Sequence, residues 1–532
     1  MEEQQKKLRE TIERETVPPK IEEEKPAEPT APAGGEKVLL KNINVTGITL
    51  LSRQEIENVT APFKEKESTL REMQKITQAV TDAYRKKGYI TSRAVLPPQR
   101  VENNTLEIHV IEGKTGEIKV EGNRYFKTSL ITKRLRLKQG DIFDYNLLQK
   151  SLVKLNEYPD RKVRAVLAPG KKTGLTDVLL KVEDRLPIHL GLSFDNYASR
   201  YVRKNRYQGT LTDNNLLGFD DILTFQYQTA DDKEYQLNSV RYLFPVNDST
   251  QFGLFGARTD LHLGEEFTDL KVRGKSRLYS AFLDQNLFKT NDVTLKLNLG
   301  FDYKDVFNFQ LNNESSRDRL RVAKVGLNFD MSDKWGRTIL NNETGFGIPN
   351  IMGGSKSKDS RSSRQGAGGE FIKDTIDFLR LQKMPFDSTL LLKSQFQMTS
   401  RVLPSVEQLQ LGGIVNVRGY PPGEVAGDYG QTVTGEWTFP VYFIPKKFKL
   451  PFLKTNVYDA VKIAAFYDWG RIKLRNTGIG ERKVQSLKSV GTGIRVDLPK
   501  NFSVRVDTAW ALDQNPSDAD PVRTWIKVVK EF

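Results

Sequence analysis

From about residue 186 to the end, apolar and polar residues alternate with a period of two. That period puts successive side chains on opposite faces of an extended strand. In "VTLKLNLGFDY", Val293, Leu295, Leu297, Leu299, Phe301 and Tyr303 share one face, and Thr294, Lys296, Asn298, Gly300 and Asp302 share the other. "LTFQYQ" sets Leu223, Phe225 and Tyr227 against Thr224, Gln226 and Gln228; "FSVRVDTAW" sets Phe502, Val504, Val506 and Trp510 against Ser503, Arg505 and Asp507. A soluble sandwich also alternates, but a stretch this long would divide into several domains with separate cores, and no linker-like break interrupts the series. The segments run about nine to thirteen residues, the length that crosses a bilayer at a tilt, and roughly sixteen can be counted, an even number as in bacterial barrels. The expectation is a membrane β-barrel of about sixteen antiparallel strands over residues 186–532. No run of 18 apolar residues exists, so helical membrane spans are excluded.

Composition removes several chemistries. The 532 residues contain no cysteine, so disulfides, thiolate metal sites and cysteine nucleophiles are excluded together. The three histidines, His109, His189 and His262, have no partner at metal-ligand spacing. Neither a metal nor another cofactor is expected, and no nucleophile or phosphate-cradling motif accompanies them; the reading is not an enzyme. A net charge of +15 suits nucleic acid, but the basic residues are interleaved with 67 acids and no nucleic-acid motif is present. No nucleic-acid partner is expected.

Residues 1–16 read as a helix charged on nearly every face, with only Leu8 and Ile12 apolar. Residues 17–36, rich in Pro and Glu, read as an extended linker. The first 36 residues contain no apolar run of signal-peptide type, so an exported chain is expected here in its mature form. Residues 37–112 read as strand, helix, helix, strand, strand, with Leu70, Met73, Ile76, Val80 and Tyr84 at helical spacing and Thr69 with Glu72 as a capping box. Residues 113–185 repeat that order. Two tandem α+β units are expected, each a small sheet covered by two helices.

"GGIVNVRGYPPGE", residues 412–424, sets one arginine among residues chosen for backbone shape. Two α+β units ahead of a barrel, with "VRGY" (417–420) late in it, resemble the TpsB transporters of two-partner secretion (ShlB/FhaC-like) in the BamA superfamily. "AVLPPQ" (94–99), "LNEYPDRKVRAVLAPG" (155–170) and "FYDWG" (466–470) carry the resemblance further. It implies that the α+β units are POTRA domains and that residues 1–16 plug the lumen. It also implies an in-folded loop, residues 400–430, between the eleventh and twelfth strands. The loop-tip motif is then Val417, Arg418, Gly419 and Tyr420, and the barrel-wall motif Phe466, Asp468 and Gly470, with Arg418 meeting Asp468. Gly412, Gly413, Gly419 and Pro421 would let the chain reverse, and Tyr420 would pack beside Arg418.

The function implied is export. An unfolded TpsA-type exoprotein would be captured by the POTRA domains in the periplasm and moved through a monomeric barrel to the surface of a Gram-negative cell. Outer-membrane lipid and the barrel assembly machinery are the further partners implied. A BamA-type insertase is the alternative, although it usually carries more POTRA units; a passive porin has no reason for tandem units or a tethered plug.

Overall fold

In the computed structural model, which describes residues 21–23, 37–449, 455–478 and 480–532, the alternating stretch closes into one ring of sixteen antiparallel strands. They are β1 (Ile188–Asp195), β2 (Arg206–Asp213), β3 (Ile222–Ala230), β4 (Tyr235–Pro245), β5 (Thr250–His262), β6 (Arg273–Lys289), β7 (Val293–Gln310) and β8 (Asn313–Asp333). The ring continues with β9 (Gly336–Gly347), β10 (Phe371–Met384), β11 (Ser388–Thr399), β12 (Tyr429–Pro440), β13 (Val461–Lys473), β14 (Val484–Leu498), β15 (Phe502–Ala511) and β16 (Val522–Glu531). β1 meets β16 from Gly191 opposite Glu531 to Asp195 opposite Lys527. Beyond that ladder the Asn196 amide continues the pairing, donating to the Thr524 carbonyl at 2.9 Å and accepting from the Ile526 N–H at 2.7 Å.

Alternation decides which face looks where. Leu299, Leu327, Trp437 and Ile494 are exposed on the outside, while Asp302, Glu436, Asp468 and Asp507 are buried toward the inside. An apolar outer band around a polar interior is the arrangement that a lipid bilayer, rather than water, stabilises. Strand lengths depart from the expected nine to thirteen residues. β1 and β2 have 8, whereas β6, β7 and β8 have 17, 18 and 21. At ~3.3 Å per residue the longest exceeds any bilayer crossing. Its excess begins with "NESSRDR", polar on both faces, which pairs by backbone bonding without the alternation that sequence counting relies on.

The described residues form two compact units, one ending at Pro187 and the other beginning at Ile188. Within the first, strands Asn42–Thr46, Thr105–Ile111 and Arg93–Val95 form a sheet in the order 42–46, 105–111, 93–95, covered by helices Arg53–Thr60 and Leu70–Lys86. The longer helix buries Met73, Ile76, Val80 and Tyr84, and its first turn is closed by Thr69 and Glu72 as a capping box. Ser52 and Glu55 cap the shorter helix in the same way. A short strand, Lys66–Ser68, pairs with Val38–Leu40 between the helices and was not expected. The second α+β unit has strands Lys114–Glu121, Arg161–Pro169 and Leu175–Asp184 with helices Thr128–Arg134 and Tyr145–Asn156, around a core that includes Phe126, Phe143, Leu148, Leu152 and Leu180. The proposed plug helix, residues 1–16, lies outside the described residues.

Candidate functional site

The stretch between β11 and β12 reaches the inner wall of the barrel. Its stem is gathered at the end of β11, where the Gln397 amide donates to the carbonyls of Glu407 (3.2 Å) and Asp428 (3.1 Å). Leu409–Leu411 then pairs antiparallel with Val425–Gly427. Beyond this two-stranded stalk the chain turns at Gly412 and Gly413, whose φ values of +106° and +80° suit glycine. Asn416 braces the turn, accepting from the N–H groups of Gly412 and Val417 and donating to the Gln410 carbonyl.

Arg418 sits at the far end of this turn, 2 % exposed. Its Nε and Nη2 donate to the two Asp468 carboxylate oxygens at 2.8 and 2.9 Å, and its own N–H reaches Oδ2 at 3.2 Å. This two-pronged geometry is the strongest an arginine and a carboxylate make. Nη1 donates to Glu436 of β12 at 2.7 Å. The guanidinium lies 3.3 Å from the centre of the Phe466 ring. The tip's backbone is held as well: the indole N–H of Trp525 on β16 donates to the Arg418 carbonyl at 2.8 Å.

Why Phe, Asp and Gly stand two apart on β13 is now physical. Phe466, Asp468 and Gly470 share the strand's inward face, and all three meet the tip. Phe466 supplies the ring beneath the cation and lies so close over Gly491 of β14 that a Cβ there would come within 2.2 Å of it. Gly470 leaves room for Leu411 and Val417, which a Cβ would meet at 2.8 and 3.1 Å. Gly419 serves close approach: a Cβ would press on the backbone of Trp510 and Ala511 and on Ser489, at 2.8–2.9 Å. The ring on Arg418 is that of Phe466 rather than Tyr420. Tyr420 packs instead with Leu409, Leu411, Val417, Ile472 and Leu487, and its hydroxyl accepts from the Asp513 N–H at 3.3 Å.

The cluster extends beyond the residues that sequence singled out. Arg495 of β14 bridges Glu436 (3.0 Å) and Asp507 (2.6 Å), and Arg505 of β15 bridges Asp507 (2.7 Å) and Glu436 (3.5 Å). Three guanidinium groups thus meet three carboxylates, a neutral set of six buried or half-buried charges. Glu436 carried a signal that was overlooked: it is the only ionised residue on the inward row Thr432, Thr434, Glu436, Thr438. Beside the tip lies a cavity of about 600 Å³ whose lining includes Arg206, Gln208, Gln226, Lys393 and Arg505. Among the described residues no group of His, Cys, Asp and Glu could hold a metal ion.

Comparison with known proteins agrees with this architecture. The model of the haemolysin secretion/activation protein family ShlB/FhaC/HecB matches residues 174–496. That of the ShlB-type POTRA domain matches residues 38–113, and a POTRA model described as surface antigen variable number repeat matches residues 114–163. The heme/hemopexin transporter protein HuxB of Haemophilus influenzae is 23 % identical over 490 residues, covering 90 % of this chain and 84 % of its own. Among solved structures, CdiB from Escherichia coli superposes with a TM-score of 0.69 at 21 % identity, covering 100 % of this chain and 97 % of its own. BamA from Haemophilus ducreyi lacking POTRA domains 1–3 gives 0.58 at 14 % identity, covering 93 % and 100 %. At these identities the structural likeness is one of fold. The family match spans more than half of the residues, and the chain belongs to the ShlB/FhaC/HecB family, the TpsB transporters of the outer membrane, built as a sixteen-stranded barrel behind POTRA domains.

Proposed function

We propose that this chain exports one large TpsA-type exoprotein across the outer membrane. The POTRA units hold the cargo unfolded in the periplasm, the barrel passes it to the surface, and residues 400–428 act as the gate, with Arg418 and Asp468 as its lock. Folding of the cargo outside the cell, rather than nucleotide hydrolysis, makes the step irreversible. The observation that carries the capture step is the strand Ile21–Glu23. It lies parallel to Arg161–Pro169, with Ile21 opposite Ala165, Glu22 opposite Val166 and Glu23 opposite Leu167. The edge of the second POTRA sheet therefore accepts an added strand. Backbone hydrogen bonds along such an edge accept many sequences, while side-chain grooves select among them. Lys162 and Arg164, exposed on that edge strand, add attraction for acidic segments.

The test is co-expression with a large exoprotein encoded beside this chain. Removing residues 37–185, both POTRA units with the Arg161–Pro169 edge, should abolish binding and secretion of the unfolded partner while the barrel still shifts on heating in a denaturing gel. Undiminished secretion would refute POTRA capture. A loss of other barrels from the outer membrane of depleted cells, with no exoprotein retained, would favour an insertase instead.

A further inference from the structure

We infer that Glu407 is a second anchor of the in-folded loop, a positioning residue that holds its stem to β7 and β10 as Arg418 holds its tip to β12, β13 and β15. Glu407 ends the short turn Ser405–Glu407 and is 3 % exposed. Its carboxylate accepts from Lys304 of β7 at 2.8 Å and from Lys373 of β10. Arg364, in the loop between β9 and β10, fastens the same stem by donating to Asp428 and to the Leu403 carbonyl.

Ring topology gives the arrangement its meaning. Arg418 is hydrogen-bonded to β12 and β13, and Glu407 to β7 and β10. Those pairs of strands stand two to six places apart in the ring of sixteen. The loop is thus secured at two separated parts of the wall, and loosening one end leaves the other attached. Burial alone would raise the Glu407 carboxyl, but Lys304 and then Lys373 outweigh it and hold it down to about 2. An ionised carboxylate placed between two lysines in a nearly dry pocket is costly to leave alone, so removing either side should loosen the stem around residues 405–407.

The inference rests on reading the loop as the gate, and the experiment separates the two. The chain has no cysteine, so Val406→Cys gives the full-length protein a single thiol for a nitroxide label, and Val415→Cys gives one at the tip. In proteoliposomes, Glu407→Gln should raise the ratio of mobile to immobile label at 406 by roughly a hundredfold or more, the order expected when a buried charge loses its partners. Exchanging the charges, Glu407→Lys with Lys304→Glu and Lys373→Glu, should restore immobility. If Glu407→Gln yields no heat-modifiable barrel, Lys304→Gln with Lys373→Gln carries the same expectation. Unchanged mobility at 406, in a preparation where Arg418→Ala mobilises the label at 415, would overturn the second anchor. A stem and tip both mobilised in Glu407→Gln with Arg418→Ala, yet secretion at the parental rate, would leave the anchor standing and sink the gate.

Discussion

Replacing Arg418 with alanine removes the only cation bonded to both Asp468 and Glu436 among the described hydrogen bonds of the tip. Asp468 is 0 % exposed and, among the described residues, would keep only the Ser489 hydroxyl at 3.3 Å and the backbone N–H of residue 418. Surface pairs are worth ~0.2–1 kcal/mol, but breaking a buried pair costs ~3–5 kcal/mol because the surviving charge stays in a poor solvent. Burial at both partners places this pair in the second class. The released-to-locked ratio of the tip should therefore rise by roughly a hundredfold or more. Asp468→Ala should cost about as much, for it strands the guanidinium. The double variant returns the six-charge cluster to neutrality, so its cost should fall below the sum of the singles by roughly 2–3 kcal/mol, the upper range for residues in contact. Urea titration in detergent micelles, followed by tryptophan fluorescence, gives the three differences. Secretion of the partner should fall in all three while the heat-modifiable barrel persists. Full additivity, or a single variant costing less than about 1 kcal/mol, would refute the reasoning, since either result belongs to solvated charges.

Three further outcomes follow from the same structure. Gly419→Ala should reproduce the secretion loss of Arg418→Ala with every charge in place, because its Cβ would meet wall backbone at 2.8 and 2.9 Å; secretion assays of the two variants side by side check this. In the first α+β unit, burial pushes the Glu112 carboxyl up, but bonds from Thr49, Leu50 and Tyr84 outweigh it and hold it below its usual 4.5. A lowered folded value adds stability above pH 4.5 that is lost as pH falls through the folded value, so circular-dichroism melts of residues 16–187 should show an acid-range loss that Glu112→Gln flattens. Finally, if residues 1–16 plug the lumen, deleting them should raise single-channel conductance in planar bilayers, and an unchanged conductance would dismiss that role.

How much of this was legible in sequence depends on the range of the interaction. Period-two alternation is local, and it placed β11 and β12 around the 400–430 loop and set Phe466, Asp468 and Gly470 on one face of β13. The capping box at Thr69 and Glu72 is local too, and it appears where the sequence put it. The partners of Arg418 are not local. Glu436, Asp507 and Trp525 come from three different strands, 18 to 107 residues away, and only barrel closure brings them to one point. Glu407 was hidden for the same reason: its lysines lie 103 and 34 residues off, on strands whose inward faces carry many charges. The strand Ile21–Glu23 was obscured differently, since it has no pattern of its own and takes its conformation from the sheet edge that receives it.

A gate that releases without nucleotide needs a fastening whose strength depends on its surroundings, and charge pairs have that property where apolar packing does not. Dry, the Arg418 cluster is costly to break; wetted, each pair falls toward the ~0.2–1 kcal/mol of an exposed salt bridge. Water has a route to it, because the cavity beside the tip is bordered by Arg418, Glu436 and Arg505 themselves. An incoming polypeptide that carried water and backbone polar groups into that cavity would replace the lost hydrogen bonds as it advanced, which lowers the cost of each step of release. Substituting the lock by packed hydrocarbon, Arg418→Met with Asp468→Leu, keeps Arg495, Arg505, Glu436 and Asp507 as a neutral set; it should therefore leave the barrel as stable as the parent or more so, and yet stop secretion. A stable, fully secreting variant of that kind would show that the charges are dispensable to the gate.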